Sequence, residues 1–407
     1  MEQFTRAEPR VDTVGALPLT ARNATLTDLV AILRDQHGRK VDVVAPATAI
    51  RSDAGTWVVQ GAEPIIDADG VGTGDGRYVP TDHADGSIAE KLGIPRAYLR
   101  RLRADRVDLY DANVNGWLHG SVLGGRSFGA AYDAEPETSP QPDSRSFLVR
   151  AFRGDDGTGV ARALLSDRYR IVDNLDVLTA ALDGVRDAGV AVEIEAADLT
   201  ETRMMVRVAC PSVHELAPDL LAGYRSPFTG ASGTDNPVIS AGLVIGNSEV
   251  GGGALTIVPR LRVEVCKNGM TVNRDALRHV HLGGKMDDGI IRWSDDTQQR
   301  NLDLIRAQAR DAVATFLDVD YVRAKIAEMR QKAGTVIDKP ADAVTSVAKS
   351  LKIPTEHTDA ILAHFIAGAQ PTAMGLVNAV TSVAQTVPNA DVAAEMEAAA
   401  VDVLAAV

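Results

Sequence analysis

The residues with most potential for chemistry are Asn247-Ser248-Glu249, which close a strand-like run and precede Gly251, Gly252 and Gly253. An amide, a hydroxyl and a carboxylate beside flexible backbone can hold a ligand, or they can cap a β-bulge with side-chain hydrogen bonds. No histidine or basic residue stands close enough in sequence to make Glu249 a general base on its own. Gly125-Arg-Ser-Phe-Gly129 has the Gly-x-Ser-x-Gly spacing, but it leads into proline-rich sequence instead of the helix a nucleophile elbow needs. Cys266, His279 and His281 are metal-ligand types, yet there is no Cys-x-x-Cys and no evident fourth ligand, so neither metal nor cofactor is expected. The Gly/Asp-rich run 67–76 lacks the spacing of a phosphate cradle and reads as a turn.

The arginines follow a clearer pattern. Arg260 and Arg262 alternate with Leu261 and Val263, and Arg203 and Arg207 alternate with Met204, Val206 and Val208. In strands this puts apolar side chains on one face and guanidinium groups on the other. The expectation is a half-buried antiparallel sheet with an open cationic side suited to a phosphate backbone. Arg150, Arg168, Arg170 and Lys267 extend the same basic strands and turns, and Arg96, Arg100, Arg101 and Arg103 form a second group. These twelve residues are the candidate DNA contacts. With aromatics only 4% of the chain, stacking platforms are scarce and binding would rest on phosphates, without sequence specificity.

The elements that must position these groups suggest an α+β fold, with a central antiparallel sheet, packed helices and a helical C-terminal part. Residues 1–85 read as a loosely organised mixed region, with a helix from Thr25 to Gln36 and strands at Val41–Val44 and Thr56–Gln60. Residues 86–132 hold two helices around Gly93-Ile94-Pro95, a helix-turn-helix-like punctuation that returns at Ala348–Pro354. An acidic, proline-rich linker at 133–144 precedes a β-rich core at 145–300, in which Asn268-Gly269 suits a turn with positive φ. From Asn301 to Lys332 the apolar period changes to 3.6, predicting one long helix at the head of the region 301–407.

Charge is unevenly spread through the 407 residues. The net value is −13, but residues 91–106 carry six basic side chains against one acidic, and both ends are acidic. Two cysteines cannot build a disulfide framework, and neither a secretory signal nor an apolar run of membrane-spanning length is visible. The expectation is a protein of the bacterial cytoplasm, away from membranes.

The runs KLGIPRAYLRRL (91–102), SDRYRIVDNLDVL (166–178), GLVIGNSEVGGGALTIVPRLRVEVCKNGM (242–270), WSDDT (293–297) and AMGLVNAVTSVAQTV (373–387) resemble the phage/plasmid-like family built on domain of unknown function 932. The resemblance implies an origin on a bacteriophage, plasmid or prophage, and it supplies no catalytic residues. The leading expectation is an oligomeric, non-enzymatic accessory protein of DNA metabolism that binds, anneals or protects DNA, single-stranded DNA included, as in recombination. The order of antiparallel strands followed by a long helix is similar to the core of single-strand annealing proteins. Two alternatives stay open: an assembly or host-protein-interaction protein using its helical tail, and an enzyme with an Asn-Ser-Glu site.

Overall fold

A computed structural model of the chain describes all residues except 1–3, 63–64, 68–69, 121, 124–125, 128–141, 170 and 280–294. The elements begin with β1 (Arg10–Val14), β2 (Leu17–Ala24) and helix α1 (Leu26–Arg39). Of the two threonines whose type suits a cap here, Thr25 and Thr27, it is Thr25 that starts α1: its side chain accepts from the Asp28 amide while the Asp28 carboxylate accepts from the Thr25 amide. There follow β3 (Lys40–Pro46), β4 (Ile50–Asp53), β5 (Thr56–Val59), the small pair β6 (Ile65–Asp67) and β7 (Gly70–Gly72), and β8 (Gly76–Pro80). Helices α2 (Asp82–Leu92), α3 (Arg96–Asp105) and α4 (Val107–His119) come next, then the short pair β9 (Val122–Leu123) and β10 (Arg126–Ser127). β11 (Ser146–Phe152), β12 (Thr158–Ser166) and α5 (Asn174–Asp187) lead into the meander β13 (Glu193–Leu199), β14 (Met204–Leu216), β15 (Val238–Asn247), β16 (Leu255–Val263), β17 (Asn268–Thr271) and β18 (Leu277–His279). The rest is helical: α6 (Asp295–Phe316), α7 (Val319–Ala333), α8 (Pro340–Ser350), α9 (Thr358–Gly368), α10 (Ala373–Ala384), α11 (Ala390–Ala399) and α12 (Val403–Ala406).

The fold is α+β, with two large sheets among the described residues beside the small pairs β6–β7 and β9–β10. One runs β1-β2-β13-β14-β15-β16-β17, with β18 also paired to β16, and is antiparallel throughout. The other runs β3-β11-β12-β8-β5-β4 and is antiparallel except between β8 and β12. The first 85 residues are therefore not a separate, loosely organised region, because β1 and β2 extend one sheet while β3, β4, β5 and β8 build most of the other. The β-rich stretch 145–300 is likewise divided between the two sheets. The linker at 133–144 lies mostly outside the described residues, as does most of Gly125–Gly129.

Each sheet has its own core. Helices α2, α3 and α4 cover the second sheet, packing Ile88, Leu99, Tyr110 and Leu118 against Trp57, Phe147 and Leu164. The apolar face of the first sheet, including Val206, Leu243, Ile245 and Leu261, packs against α1, α5 and the C-terminal helices. Ile361, Phe365, Met374 and Val380 belong to this core, so the helical tail is integral to it and is not a free arm. The predicted helix 301–332 is two helices. Asp318 interrupts it by accepting from the Asp320 amide at 2.8 Å and the Tyr321 amide at 3.4 Å, which starts α7 with a new cap.

The echo between 89–95 and 348–354 has a geometric cause. Gly93 and Lys352 both adopt left-handed backbone, with φ of 70° and 56°. Each lets the next isoleucine amide reach back, Ile94 to the Ala89 carbonyl (2.8 Å) and Ile353 to the Ala348 carbonyl (2.9 Å). The repeat is thus a helix C-cap used twice.

Helices α5 and α6 approach so closely that a Cβ on Gly184 would overlap the Arg306 carbonyl. Gly184→Ala is expected to lower stability by about 1–3 kcal/mol through overpacking, despite alanine's better helix propensity. Urea denaturation checks this, and an unchanged midpoint would remove the close approach from the packing argument.

Candidate functional site

The arginine alternation on β14 and β16 is present, but the expected open cationic face is not. Arg207, Arg260 and Arg262 are buried, with 7%, 4% and 7% exposure, and each is neutralised by carboxylates. Asp198 on β13 takes Arg22 from β2 at 2.8 Å and also pairs with Arg207. Glu195 pairs with both Arg260 and Arg262, the latter at 2.9 Å, and Glu264 lies 3.7 Å from Arg262. Arg203 is engaged at 2.7 Å by Asp391 in the first turn of α11. The result is a row of alternating charge inside the protein. Burial would drive the charge off Arg207, but Asp198 and Glu397 outweigh it and hold the guanidinium pKa above its ordinary value.

The second sheet buries Arg150 at 2% exposure, between Asp42 on β3, Asp173 ahead of α5, and the Glu249 carbonyl, to which it donates at 2.8 Å. Arg162 on β12 was not among the sequence candidates, yet it forms the close ion pair with the Glu249 carboxylate. It is the extra residue of a β-bulge, because Arg150 faces Ala163 and Ala151 faces Ala161. Glu195 is also an extra residue, between Ile194 opposite Val208 and Ala196 opposite Arg207. Both bulges turn a charged side chain that simple alternation would assign to the wrong face.

Asn247-Ser248-Glu249 is the joint between the sheets. Asn247 donates to the Val172 carbonyl (3.1 Å) and to Asn174 Oδ1 (2.8 Å). Ser248 donates to the Thr202 carbonyl (2.6 Å) and accepts from the Gly252 amide (2.8 Å). The second Glu249 oxygen accepts from the Asn174 amide at 2.8 Å, placing a carboxylate at the N-terminus of α5, where the helix dipole favours it. With its oxygens engaged this way and only 6% exposure, Glu249 has the geometry of a structural anchor. Of the two uses sequence allowed for this triplet, the geometry realises side-chain capping.

The other candidates are scattered. Leu99 and Leu102 on α3 face inward, leaving Arg96, Arg100 and Arg101 exposed, while Arg103 turns in to Asp85 (2.6 Å) and the Pro80 carbonyl (2.7 Å). Arg168 is exposed between β12 and α5, and Arg170 lies outside the described residues. Lys267 is exposed, and it carries the positive φ (55°) of the β16–β17 turn that sequence assigns to Asn268-Gly269. Gly269 serves another purpose: the Arg260 guanidinium crosses where its Cβ would be. The arginines therefore do not converge on one wall. Cys266 lies beside the Val263 carbonyl, burial pushes its thiol pKa up to about 11, and the side chains of His279 and His281 lie outside the described residues. Among the described residues no cluster of three or more His, Cys, Asp or Glu is placed to hold a metal ion, and no helix is long and apolar enough to cross a membrane.

Beside the charged row of the first sheet is a cavity of about 780 Å³, with Arg207, Arg260, Glu195 and Glu397 on its wall and Phe228 and Lys267 also lining it. Residues 384–387 help to close this region by touching both sides of the sheet. Arg22 of β2 donates to the Ala384 and Val387 carbonyls, and Gln385 donates to Asn268 of β17. No family model, curated protein or solved structure matches this chain.

The joint sets the response to acid. Burial opposes ionisation of Glu249 and Asp173, but Arg162 and Arg150 for the first, and Arg150 and Lys40 for the second, hold both below the ordinary carboxylate range. Groups depressed in the folded state contribute stability that is complete above their unfolded pKa of about 4 and is lost as pH falls through the folded value. Asp42 has the opposite sign, since burial raises its pKa. Glu249→Gln is expected to lower the unfolding free energy at pH 7 by about 3–5 kcal/mol and to flatten the loss of stability below about pH 4. Urea denaturation across pH checks both, and wild-type stability in the variant at pH 7 would contradict them.

Proposed function

We propose that the chain is a non-catalytic, phosphate-directed nucleic-acid-binding protein of a mobile genetic element, and that its contact surface is α3 instead of the sheet. The observation that carries this reading is the difference in availability among the arginines. Arg150, Arg207, Arg260 and Arg262 of the sheets are buried in ion pairs, and withdrawing one would leave a carboxylate buried and uncompensated. Arg96, Arg100 and Arg101 of α3 stand in water. Arg100 has no ion-pair partner among the described residues, and the pairs Arg96–Glu90 and Arg101–Asp105 are at least 59% exposed on both sides. Exposed pairs of this kind are worth about 0–1 kcal/mol, so a phosphate can replace the carboxylate at small cost. Tyr98, 49% exposed on the same helix, supplies a ring for contact with a sugar or base. Arg96 and Arg100 also line a cleft of about 520 Å³, whose other charged residues include Arg10 and the carboxylates of Asp12, Asp82, Glu201 and Asp391. Action in the cytoplasm of a bacterial host and self-association belong to the same reading.

Fluorescence anisotropy with labelled single- and double-stranded oligonucleotides is the test. Binding is expected at about 50 mM salt, with a log–log salt slope near −0.7 per contacted phosphate on single strands. Arg100→Glu with Arg101→Glu should weaken binding at least about tenfold and reduce that slope, as lost phosphate contacts would. No binding at low salt, or full binding by the double variant, would overturn the proposal.

A second reading, assembly with another protein, draws on α4, where Leu109 (38% exposed) and Trp117 (44% exposed) lie two turns apart on one ridge. Light scattering on Trp117→Ser tests it, and an unchanged mass would count against this ridge as a contact.

A further inference from the structure

The 780 Å³ cavity beside the first sheet has the size of a small-molecule site, and its charged lining is not internally satisfied. Asp198 accepts from Arg22 and Arg207, and Glu195 accepts from Arg260 and lies 2.9 Å from Arg262 Nε. Glu397, reaching in from α11, is different. It is 6% exposed, its nearest cations are Arg260 Nη2 at 3.6 Å and Arg207 Nε at 3.8 Å, and neither of its oxygens accepts a hydrogen bond from a described residue. Arg260 Nε is likewise buried without a hydrogen-bond partner. Distances of 3.6–3.8 Å are ion-pair contacts but too long for hydrogen bonds, so the Glu397 oxygens keep acceptor capacity that faces the cavity.

The lining also identifies what fits. Five basic residues (Arg6, Arg22, Arg207, Arg260 and Lys267) face three acidic ones (Glu8, Glu195 and Glu397), and with Asp198 behind Arg22 and Arg207 one positive charge is left in excess, which favours an anionic ligand. Lys267 is exposed beside the cavity without a carboxylate partner among the described residues. Glu397, by contrast, offers two free acceptor oxygens and requires two parallel N–H donors. Guanine presents such a pair in N1–H and the 2-amino group. Adenine sets its amino donor beside an acceptor nitrogen, and neither pyrimidine edge places two donors side by side. Base edges in protein pockets are read by hydrogen bonds of this kind. We propose that this cavity binds a guanine mononucleotide, with the base edge on Glu397 and the phosphate toward Lys267 and Arg6. The site is separate from α3, and its test does not depend on polynucleotide binding.

Isothermal titration calorimetry of the full chain at low salt, with GMP, AMP, inorganic phosphate and L-arginine as separate probes, decides the matter. GMP is expected to bind at least about tenfold more tightly than AMP or phosphate, because a hydrogen-bonding site left unpaired rejects the analogue. Glu397→Gln should remove or reverse that preference, because a glutamine amide sets an acceptor beside a donor and complements the adenine edge. Lys267→Gln lies on an exposed turn outside the core, and it should weaken GMP and AMP alike. The proposal is overturned if GMP fails to bind at about 1 mM, if GMP and AMP bind equally, or if L-arginine binds and GMP does not. GMP affinity unchanged in Lys267→Gln would overturn it too, whether or not Glu397→Gln folds.

Discussion

One buried carboxylate holds the two halves of this fold in register. Glu249 stands where the chain leaves β15, and its oxygens engage Arg162 of β12, Arg150 of β11 and the first amide of α5. Two sheets with their own helices and cores are thereby tied at a point where every partner is charged or is a helix-terminal dipole. The apolar contacts around it are few, chiefly Leu148, Ala163, Leu165 and Val250. Such a joint is directional where apolar packing is not. It is strong only while complete, because removing one member leaves another charge buried and alone.

The same principle governs the first sheet, where arginines and carboxylates from five elements alternate across one face. Many cationic side chains are used up inside the molecule, which is why segment charges along the chain did not translate into a basic surface. Arg150 and Arg260 sit in basic stretches of sequence, yet each is surrounded by acids contributed from distant segments. Arg96, Arg100 and Arg101 of α3 keep their positive charge in water, and the partners of two of them, Glu90 of α2 and Asp105 of α3, are exposed as well.

What could be read from sequence follows from the range of the forces involved. The capped start of α1, the Gly93-Ile94-Pro95 break and the apolar faces of β14 and β16 are local, and each was legible in residue type and spacing. The break at Asp318 was missed because Phe316, Leu317 and Val322 continue the apolar pattern across it, and a single aspartate at a helix start is a quiet signal. The bulges at Arg162 and Glu195 were illegible in principle from alternation, since a bulge changes the parity on which that reading rests. Gly269 was visible but misassigned: glycine also marks close approach, here of the Arg260 guanidinium. The roles of Asn247, Ser248 and Glu249 depend on Val172, Asn174 and Thr202, so their type was evident before their purpose was.

A double-mutant cycle between Glu249 and Arg162, read by urea denaturation of Glu249→Gln, Arg162→Met and the combined variant, addresses the joint most directly. The anchoring role described for Glu249 predicts a coupling energy of at least about 1.5 kcal/mol, with the double variant far less destabilised than the sum of the singles. Additive effects within about 0.5 kcal/mol would show that the two sheets are held together by something else.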